Sequence, residues 1–217
     1  MPRPSHPPSF RPVLRHLAKA DPVMHGLVRR VGVFTPIPQR RQAPYETLVR
    51  AIAHQQLNGR AAQTILGRFI ALFPGKRFPE PDDVLRTSAA KMRRAGFSRA
   101  KIRAIKHISA KAAAGEVPTR RKAGRMTDDD LILQLTEMHG VGRWTVQMLL
   151  MFTLARPDVL PADDFGIREG FRLTYGLRAR PTPKQVLAHG ERWRPYRSIA
   201  SWHLWRAVEL HRDQRSR

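Results

Sequence analysis

Two glycines separated by one valine join two stretches of helical hydrophobic spacing. Upstream of Gly140, apolar residues recur along one helix face: Leu131, Ile132, Leu135 and Met138. Downstream of Gly142, the stretch from Trp144 to Leu154 is apolar almost all round, which is typical of a helix buried on every side. Glycines at these positions allow a tight hairpin with positive φ and leave backbone amides uncovered, where a phosphate can bind. We predict two helices joined by a hairpin.

The remaining apolar pattern is also helical. One face recurs within the segment Tyr45–Phe73, and it comprises Ala62, Ile65, Leu66, Phe69, Ile70 and Phe73. Ser98 is placed to cap a helix that carries Ile102, Ile105 and Ile108, and Thr127 with Asp130 resembles a capping box. Alternating strand patterns with Asn-Gly turns between them are missing, so the predicted fold class is all-α.

The charge balance favours a polyanionic partner. Lys and Arg total 40 against 17 Asp and Glu, which gives a formal net charge of +23. Phosphates neutralise such a charge, so nucleic acid is the expected partner, with a solvated basic surface as the alternative. Charge alone does not distinguish DNA from RNA.

The sequence contains no cysteine. Disulfides, thiolate zinc sites, a cysteine nucleophile and a cysteine-ligated iron–sulfur cluster are therefore excluded. No apolar run approaches the roughly 20 residues of a membrane span, and the N-terminus is rich in Pro and Arg. We expect a soluble cytoplasmic protein with no membrane partner.

The hairpin resembles that of a known enzyme family. A Gly-x-Gly sequence between helices is often only a short turn with no binding role. Here, however, Arg143-Trp144-Thr145 and an apolar helix follow it. This pattern resembles the helix-hairpin-helix (HhH-GPD) DNA glycosylase superfamily, particularly the bacterial 3-methyladenine DNA glycosylase II (AlkA-like) branch. Other matching segments are Tyr45–Asn58, Gly96–Lys101, Arg192–Ser198 and His203–Trp205. Two departures are His139, where the family usually has Pro, and a length that leaves no room for the N-terminal β domain of some relatives.

The resemblance implies two helical lobes with the active-site cleft between them. We expect a flexible lead over residues 1–12, one glycosylase domain over 13–210 and a basic tail over 211–217. Within the domain, residues 46–130 form a central lobe, 13–45 with 165–210 form the second lobe, and 127–154 form the hairpin.

The resemblance also assigns a catalytic carboxylate. The family's catalytic aspartate follows the hairpin position of Trp144 by twenty residues, which gives Asp164. Cleavage of an N-glycosidic bond builds positive charge on the sugar, which a nearby carboxylate stabilises while it orients or activates water. The alternative for Asp164 is a helix N-cap, the role that we predict for Asp163. Asp164-Phe165-Gly166 also occurs in kinases, but the other kinase motifs are missing.

Aromatic side chains are expected to hold the base. Relatives that also cut the backbone carry Lys at the position of Trp144, and an indole cannot form a Schiff base, so the prediction is monofunctional hydrolysis. Trp144 and Trp205 match pocket tryptophans, with Phe165 and Met148 beside them; the alternative is that they are core residues. Two further tryptophans are assigned to the core, Trp193 and Trp202, although Trp202 could border the site.

A second segment is expected to fill the gap that a flipped base leaves in the duplex. We call this segment the wedge, and its candidate residues are Gln55, Gln56, Leu57 and Asn58. Of these, Gln56 matches the residue that fills the gap in the resembled family best. The alternative is a polar helix end that touches solvent.

The hairpin is expected to anchor DNA phosphate. The candidate residues are Gly140, Val141, Gly142, Arg143 and Thr145. The resemblance implies a structural Na⁺ or K⁺ on the backbone of Thr136, Met138 and Val141, with no other cofactor. Further phosphate contacts are expected among Arg99, Lys101, Arg120, Arg121 and Lys122.

These features together predict a DNA glycosylase of base excision repair. We expect a monomer, associated with the bacterial nucleoid, that removes alkylated bases such as 3-methyladenine and 7-methylguanine from damaged double-stranded DNA. The alternatives are a non-catalytic helix-hairpin-helix DNA-binding module, a basic RNA-binding structural protein, and an enzyme for oxidised or mismatched bases.

Overall fold

The computed structural model describes residues 11–32, 42–57 and 59–215, and these residues contain helices and no β-strand. The helices are α1 (Arg11–Ala20), α2 (Pro22–Val31), α3 (Pro44–His54), α4 (Gly59–Ile70), α5 (Pro81–Arg86), α6 (Ala89–Ala95), α7 (Arg99–Ala113), α8 (Arg120–Ala123), α9 (Asp128–Thr136), α10 (Arg143–Met148), α11 (Phe165–Thr174), α12 (Pro183–Gly190) and α13 (Arg197–Arg215). A π-helix, Leu149–Thr153, continues α10, and a 3₁₀ turn, Glu191–Trp193, follows α12.

The chain divides into two compact units. One is Pro38–Leu154, and the other combines Met1–Ile37 with Ala155–Arg217. We call them the hairpin unit and the terminal unit. The predicted flexible lead over residues 1–12 overlaps α1, because Arg11 and Pro12 belong to that helix. Residues 1–10 of the predicted lead lie outside the described residues. The predicted basic tail is helical as far as Arg215, since α13 continues to that residue.

In the hairpin unit, capping side chains set where the helices begin. Thr127 Oγ1 accepts the amide of Asp130, whose carboxylate accepts the amide of Thr127 in return, so the predicted capping box is present. Ser98 accepts the amide of Lys101 at 3.2 Å and caps α7 as predicted. The predicted helical segment Tyr45–Phe73 contains two helices, because α3 ends at His54 and α4 begins at Gly59.

The interior of the hairpin unit is apolar and aromatic. Phe69 lies at its centre, with the rings of Phe73, Phe78 and Phe97 edge-on to it at centroid distances of 5.5, 6.3 and 5.3 Å. The predicted buried helix is buried over most of its surface, since Val146, Leu149 and Leu150 are almost inaccessible to solvent. It is not buried on every side, because Gln147 and Phe152 are partly exposed.

The terminal unit is built around a buried tryptophan and a buried carboxylate. Trp193 is fully buried and donates its indole N–H to Asp21 Oδ2 at 2.8 Å. The same oxygen accepts the hydroxyl of Tyr175 at 2.6 Å and faces His189 Nε2 at 2.9 Å. Asp21 Oδ1 accepts the amide of Met24 and caps α2. The core prediction for Trp193 is therefore confirmed.

Candidate active site

Asp164 is held at the N-terminus of α11. Its Oδ1 accepts the amide of Ile167 at 2.8 Å, which makes Asp164 the N-cap of the helix. The prediction that Asp163 is the cap is wrong, because Asp163 lies in the preceding turn with an exposed side chain. Capping fixes the carboxylate of Asp164 at the positive end of the helix dipole.

A tryptophan of α13 donates to the same oxygen. Trp205 Nε1 lies 2.8 Å from Asp164 Oδ1, so one oxygen accepts a backbone and an indole N–H. A Cβ at residue 166 would lie 2.7 Å from Trp205 Cδ1 and 3.1 Å from Asp164 Oδ1. Gly166 is therefore the residue that lets the indole reach the carboxylate. The sequence predicted Trp205 only as a pocket residue, and the structure adds this orienting role.

Gly170 allows the same close packing one turn further along α11. A Cβ at this position would lie 2.0 Å from the carbonyl oxygen of Leu204, so only glycine fits against the backbone of α13. Two glycines four residues apart lie on the same face of a helix, and this spacing is the sequence signal of such packing.

Phe165 presents its ring at the surface beside Asp164. Its side chain is 59% exposed, and the guanidinium carbon of Arg180 lies 4.3 Å from the ring centroid. Arg180 also lies 3.9 Å from Glu169, which accepts the guanidinium of Arg172. The hydrogen bond from Arg172 holds the pKa of the Glu169 carboxyl below its usual range. This part of the terminal unit offers an aromatic face with positive charge around it.

In the hairpin unit, Gly140 has the predicted backbone conformation. Its φ is +81°, and a Cβ there would lie 2.5 Å from the Cβ of Ala104 on α7. Gly142 is the N-cap of α10 and supplies no side-chain hydrogen bond to the first turn. Arg143, at the first position of that helix, is exposed, whereas Thr145 and Val141 are buried.

Gln55 connects the predicted wedge to the hairpin. Its Nε2 donates to the carbonyl oxygen of Gly140 at 3.0 Å and to Thr145 Oγ1 at 3.1 Å. Gln56 has a φ of +55°, a strained conformation for a residue other than glycine, and its side chain is exposed. Leu57 is 41% exposed, and Asn58 lies outside the described residues. Within the described part of the loop, Gln56 and Leu57 are therefore the exposed candidates for the predicted wedge.

Lys101 has a structural role at the start of this loop. Its Nζ donates to the carbonyl oxygen of Ala53 at 2.8 Å, at the C-terminal end of α3. Burial lowers the pKa of the Lys101 amine. The sequence predicts Lys101 among possible phosphate contacts, and the structure adds that its amine supports the helix end before Gln55.

The two remaining tryptophans, Trp144 and Trp202, are both half-buried. Trp144 is half-buried at the second position of α10, and Met148, one turn later on the same side of the helix, is 7% exposed. Trp202 is half-buried, with the guanidinium of Arg206 5.7 Å from its ring centroid. Trp202 is therefore less enclosed than Trp193.

Among the described residues, no group of three or more His, Cys, Asp or Glu is placed to bind a metal ion. None of the helices in the described ranges is both long enough and apolar enough to cross a membrane.

Comparison with known proteins identifies the family. The model of the HhH-GPD superfamily of base excision DNA repair proteins matches residues 49–195. DNA-3-methyladenine glycosylase 1 of Schizosaccharomyces pombe is 41% identical over 196 residues, which cover 90% of this chain and 86% of the relative. The chain belongs to the HhH-GPD superfamily.

Solved structures of HhH-GPD proteins agree with this assignment. The 3-methyladenine DNA glycosylase Mag1 of S. pombe, in complex with abasic DNA, matches with a TM-score of 0.84 and 41% identity over 89% of this chain and 95% of that chain. The DNA-3-methyladenine glycosidase of Bacillus halodurans matches with a TM-score of 0.74 and 30% identity over 93% and 91% of the two chains. The predicted family and all-α class are confirmed, and the relatives support the predicted class of activity, a DNA glycosylase of base excision repair.

Proposed function

We propose that this HhH-GPD protein is a monofunctional DNA glycosylase that removes cationic, N-methylated bases such as 3-methyladenine and 7-methylguanine from damaged duplex DNA. The observation that carries the proposal is the carboxylate of Asp164, whose Oδ1 accepts both the Ile167 amide of α11 and the indole N–H of Trp205. A carboxylate held by two donors is preorganised for a charge that develops near it.

The chemistry requires one such carboxylate. The bond between the sugar C1′ and the base nitrogen breaks, and its electron pair leaves with the base, cancelling the positive charge that alkylation put there. The Asp164 carboxylate stabilises the positive charge on the sugar and orients or deprotonates the water that forms the new C1′–O bond. A neutral leaving base needs little help from a general acid.

The aromatic residues are proposed to select the base. Trp144, Trp205, Phe165 and Met148 are the proposed pocket, since electron-rich rings bind a cationic heterocycle by stacking, at about 1–3 kcal/mol per base, and by cation–π attraction. Trp144 has no amine, so hydrolysis without cleavage of the DNA backbone is part of the proposal.

DNA is proposed to bind through the hairpin and the wedge. Gly140, Gly142 and Arg143 are exposed and would face phosphate, whereas Val141 and Thr145 are buried and would support the hairpin from within. Gln56 and Leu57, with Asn58, would fill the gap left by the flipped nucleotide. Because Gln55 donates a hydrogen bond to the carbonyl oxygen of Gly140, we propose that it links the wedge loop to the hairpin rather than inserting into DNA.

A monovalent cation on the hairpin backbone is part of the proposal. The carbonyl oxygens of Thr136, Met138 and Val141 are suitable hard ligands. The carbonyl of Met138 accepts the amide of Val141 at 3.0 Å and has a second lone pair for an ion. The last turn of α9 contains no basic side chain to satisfy its carbonyls, which also suits a bound cation. When bound, the ion would add positive charge for a phosphate. No other cofactor is proposed.

We also propose that the protein acts as a monomer in the cytoplasm, at the bacterial nucleoid. The net charge of +23 supports association with DNA.

Free-base release tests the proposed activity. Methylated duplex DNA is incubated with the protein, and released bases are measured by mass spectrometry. We expect 3-methyladenine and 7-methylguanine in the free pool and abasic sites left in intact strands. Release of oxidised bases alone, or covalent trapping of the protein on DNA by borohydride, would contradict the proposal.

A further inference from the structure

The hairpin carries an extra backbone donor, and a side chain accepts from it. His139 stands where the resembled family usually has Pro, which has no N–H. The amide N–H of His139 donates to His107 Nδ1 at 3.0 Å. A histidine at this position therefore brings a donor that a proline would not, and α7 supplies its acceptor.

His107 lies next to the point where α7 supports the hairpin. Gly140 packs so closely on Ala104 that a Cβ would lie 2.5 Å from the Cβ of Ala104. His107 follows Ala104 by three residues, so the two lie on the same side of α7, one turn apart. The helix thus contacts two consecutive hairpin residues, one by packing and one by a hydrogen bond.

The hydrogen bond and the ring contact of His107 are separable. For Nδ1 to accept, the ring must carry its proton on Nε2. The ring of His139 is edge-on to that of His107, with centroids 6.4 Å apart and planes at 88°. An asparagine at 107 keeps an acceptor at the position of Nδ1 without the ring, whereas a phenylalanine keeps a ring without the acceptor.

Side chains hold adjacent residues of the hairpin backbone. His107 accepts the N–H of His139, and Gln55 donates to the carbonyl oxygen of Gly140 at 3.0 Å. The two contacts come from different helix segments, α7 and the end of α3. They restrain the backbone just before Val141 and Gly142.

We propose that His107 is a positioning residue for DNA binding. Its imidazole accepts the N–H that His139 introduces and thereby keeps the segment Gly140–Gly142 in a conformation that binds phosphate. The inference rests on the proposed function, because it assumes that this hairpin contacts DNA.

Four variants test the hydrogen bond itself: His107→Phe, His107→Asn, His139→Pro, and His107→Phe combined with His139→Pro. Affinity is measured on duplex DNA that contains an abasic-site analogue, at one salt concentration. We expect His107→Phe to bind about 3- to 10-fold more weakly, the loss typical of one hydrogen bond. His107→Asn should retain the affinity of the parent. In the His139→Pro background, His107→Phe should cause no further loss of affinity, since the N–H that His107 accepts is gone.

Two further readouts separate positioning from general damage. The single-turnover rate of base release at saturating protein should change by less than about 2-fold in His107→Phe, because only binding is affected. Hydrogen exchange at the His139 amide of the free protein should be faster in His107→Phe and return to the parent rate in His107→Asn.

The outcomes distinguish this inference from the proposed function. If the parent protein binds the abasic duplex no better than undamaged duplex, both the proposed function and the inference about His107 are contradicted. If the parent has the preference and His107→Phe binds equally well, or loses as much in the proline background as in the parent, the inference alone is overturned. Unchanged exchange at His139 in His107→Phe would overturn it independently of DNA.

Discussion

At the scale of single residues, the indole N–H of Trp205 is the contact that distinguishes an oriented carboxylate from an ordinary helix cap. It donates to Asp164 Oδ1 at 2.8 Å. In Trp205→Phe the aromatic ring remains and this donor is lost. We expect a roughly 10-fold or larger fall in the single-turnover rate, since a hydrogen bond to a charged group contributes about 1.5–3 kcal/mol.

The matched control for this change is Trp202→Phe. Trp202 lies three residues earlier on α13 and is also half-buried. Its replacement should leave the rate close to that of the parent. An equal loss of rate in both variants would indicate general damage to α13 rather than a specific contact with Asp164.

The buried carboxylate of Asp21 makes stability depend on pH. Burial alone would raise its pKa, but the hydrogen bonds from the Met24 amide, Tyr175, Trp193 and His189 outweigh burial, and the net pKa lies below the ordinary 3.8. Because the folded pKa is lowered, this stabilisation is present above the unfolded pKa and is lost as pH falls through the folded pKa.

Asp21→Asn should therefore destabilise the protein by about 3 kcal/mol near neutral pH, because buried donors lose a charged acceptor. The difference from the parent should narrow below about pH 4, as the parent carboxylate takes up a proton. Urea unfolding at several pH values measures both effects, with the exposed Asp163→Asn as control. A difference that stays constant down to acid pH would show that the charge of Asp21 is not the cause.

The residue scale also shows what the sequence could and could not predict. The motifs single out Asp164 and Trp205 as candidates, but they do not predict the hydrogen bond between them, because 41 residues separate the two in the chain. Its sequence signal is Gly166, whose missing Cβ makes room for the indole. Likewise, the acceptor for His139 lies 32 residues away on another helix, where hydrophobic periodicity gives no indication of it.

At the scale of elements, hydrophobic periodicity predicts that a helix exists better than it predicts where the helix begins and ends. The continuous apolar pattern between Tyr45 and Phe73 concealed the break between α3 and α4. The break is the loop proposed to enter DNA, where Gln56 adopts a strained positive φ. Capping residues were more informative, since Ser98 and Thr127 both cap helices as expected.

The wedge loop supports a prediction about duplex substrates. Leu57→Ala removes an exposed apolar side chain from the loop and should leave folding unaffected. Base release from duplex DNA should fall about 10-fold, while release from single-stranded DNA should change much less, because extrusion from a duplex costs a few kcal/mol. Leu72, which is 37% exposed in the turn that follows α4, provides the control variant Leu72→Ala. Equal losses on both substrates would argue against a wedge.

At the scale of the whole molecule, charge gave the correct class of partner for the family and no finer detail. Because the chain has 40 basic residues, the sequence does not indicate which of them contact phosphate. Lys101, for example, donates to the carbonyl oxygen of Ala53 at the end of α3. The family and the class of activity came from several motifs spread between Tyr45 and Trp205, which is why they could be recognised without a structure.

Electrostatic binding predicts a steep salt dependence for the whole protein. A protein that contacts several phosphates releases counterions, so affinity for the abasic duplex should fall by roughly 1,000-fold between about 50 and 200 mM monovalent salt. Fluorescence anisotropy titrations measure this slope. A change of less than about 10-fold over this range would mean that most of the positive surface does not face DNA.

The most direct test of the account is release of 3-methyladenine by Asp164→Asn, compared with Asp163→Asn, under single-turnover conditions. Asparagine keeps an oxygen for the amide of Ile167 and the indole of Trp205 but removes the negative charge. We predict that Asp164→Asn folds, binds abasic duplex DNA and releases base at least about 100-fold more slowly, whereas Asp163→Asn behaves like the parent. Release by Asp164→Asn at the parent rate would contradict the assignment of Asp164 as the catalytic carboxylate.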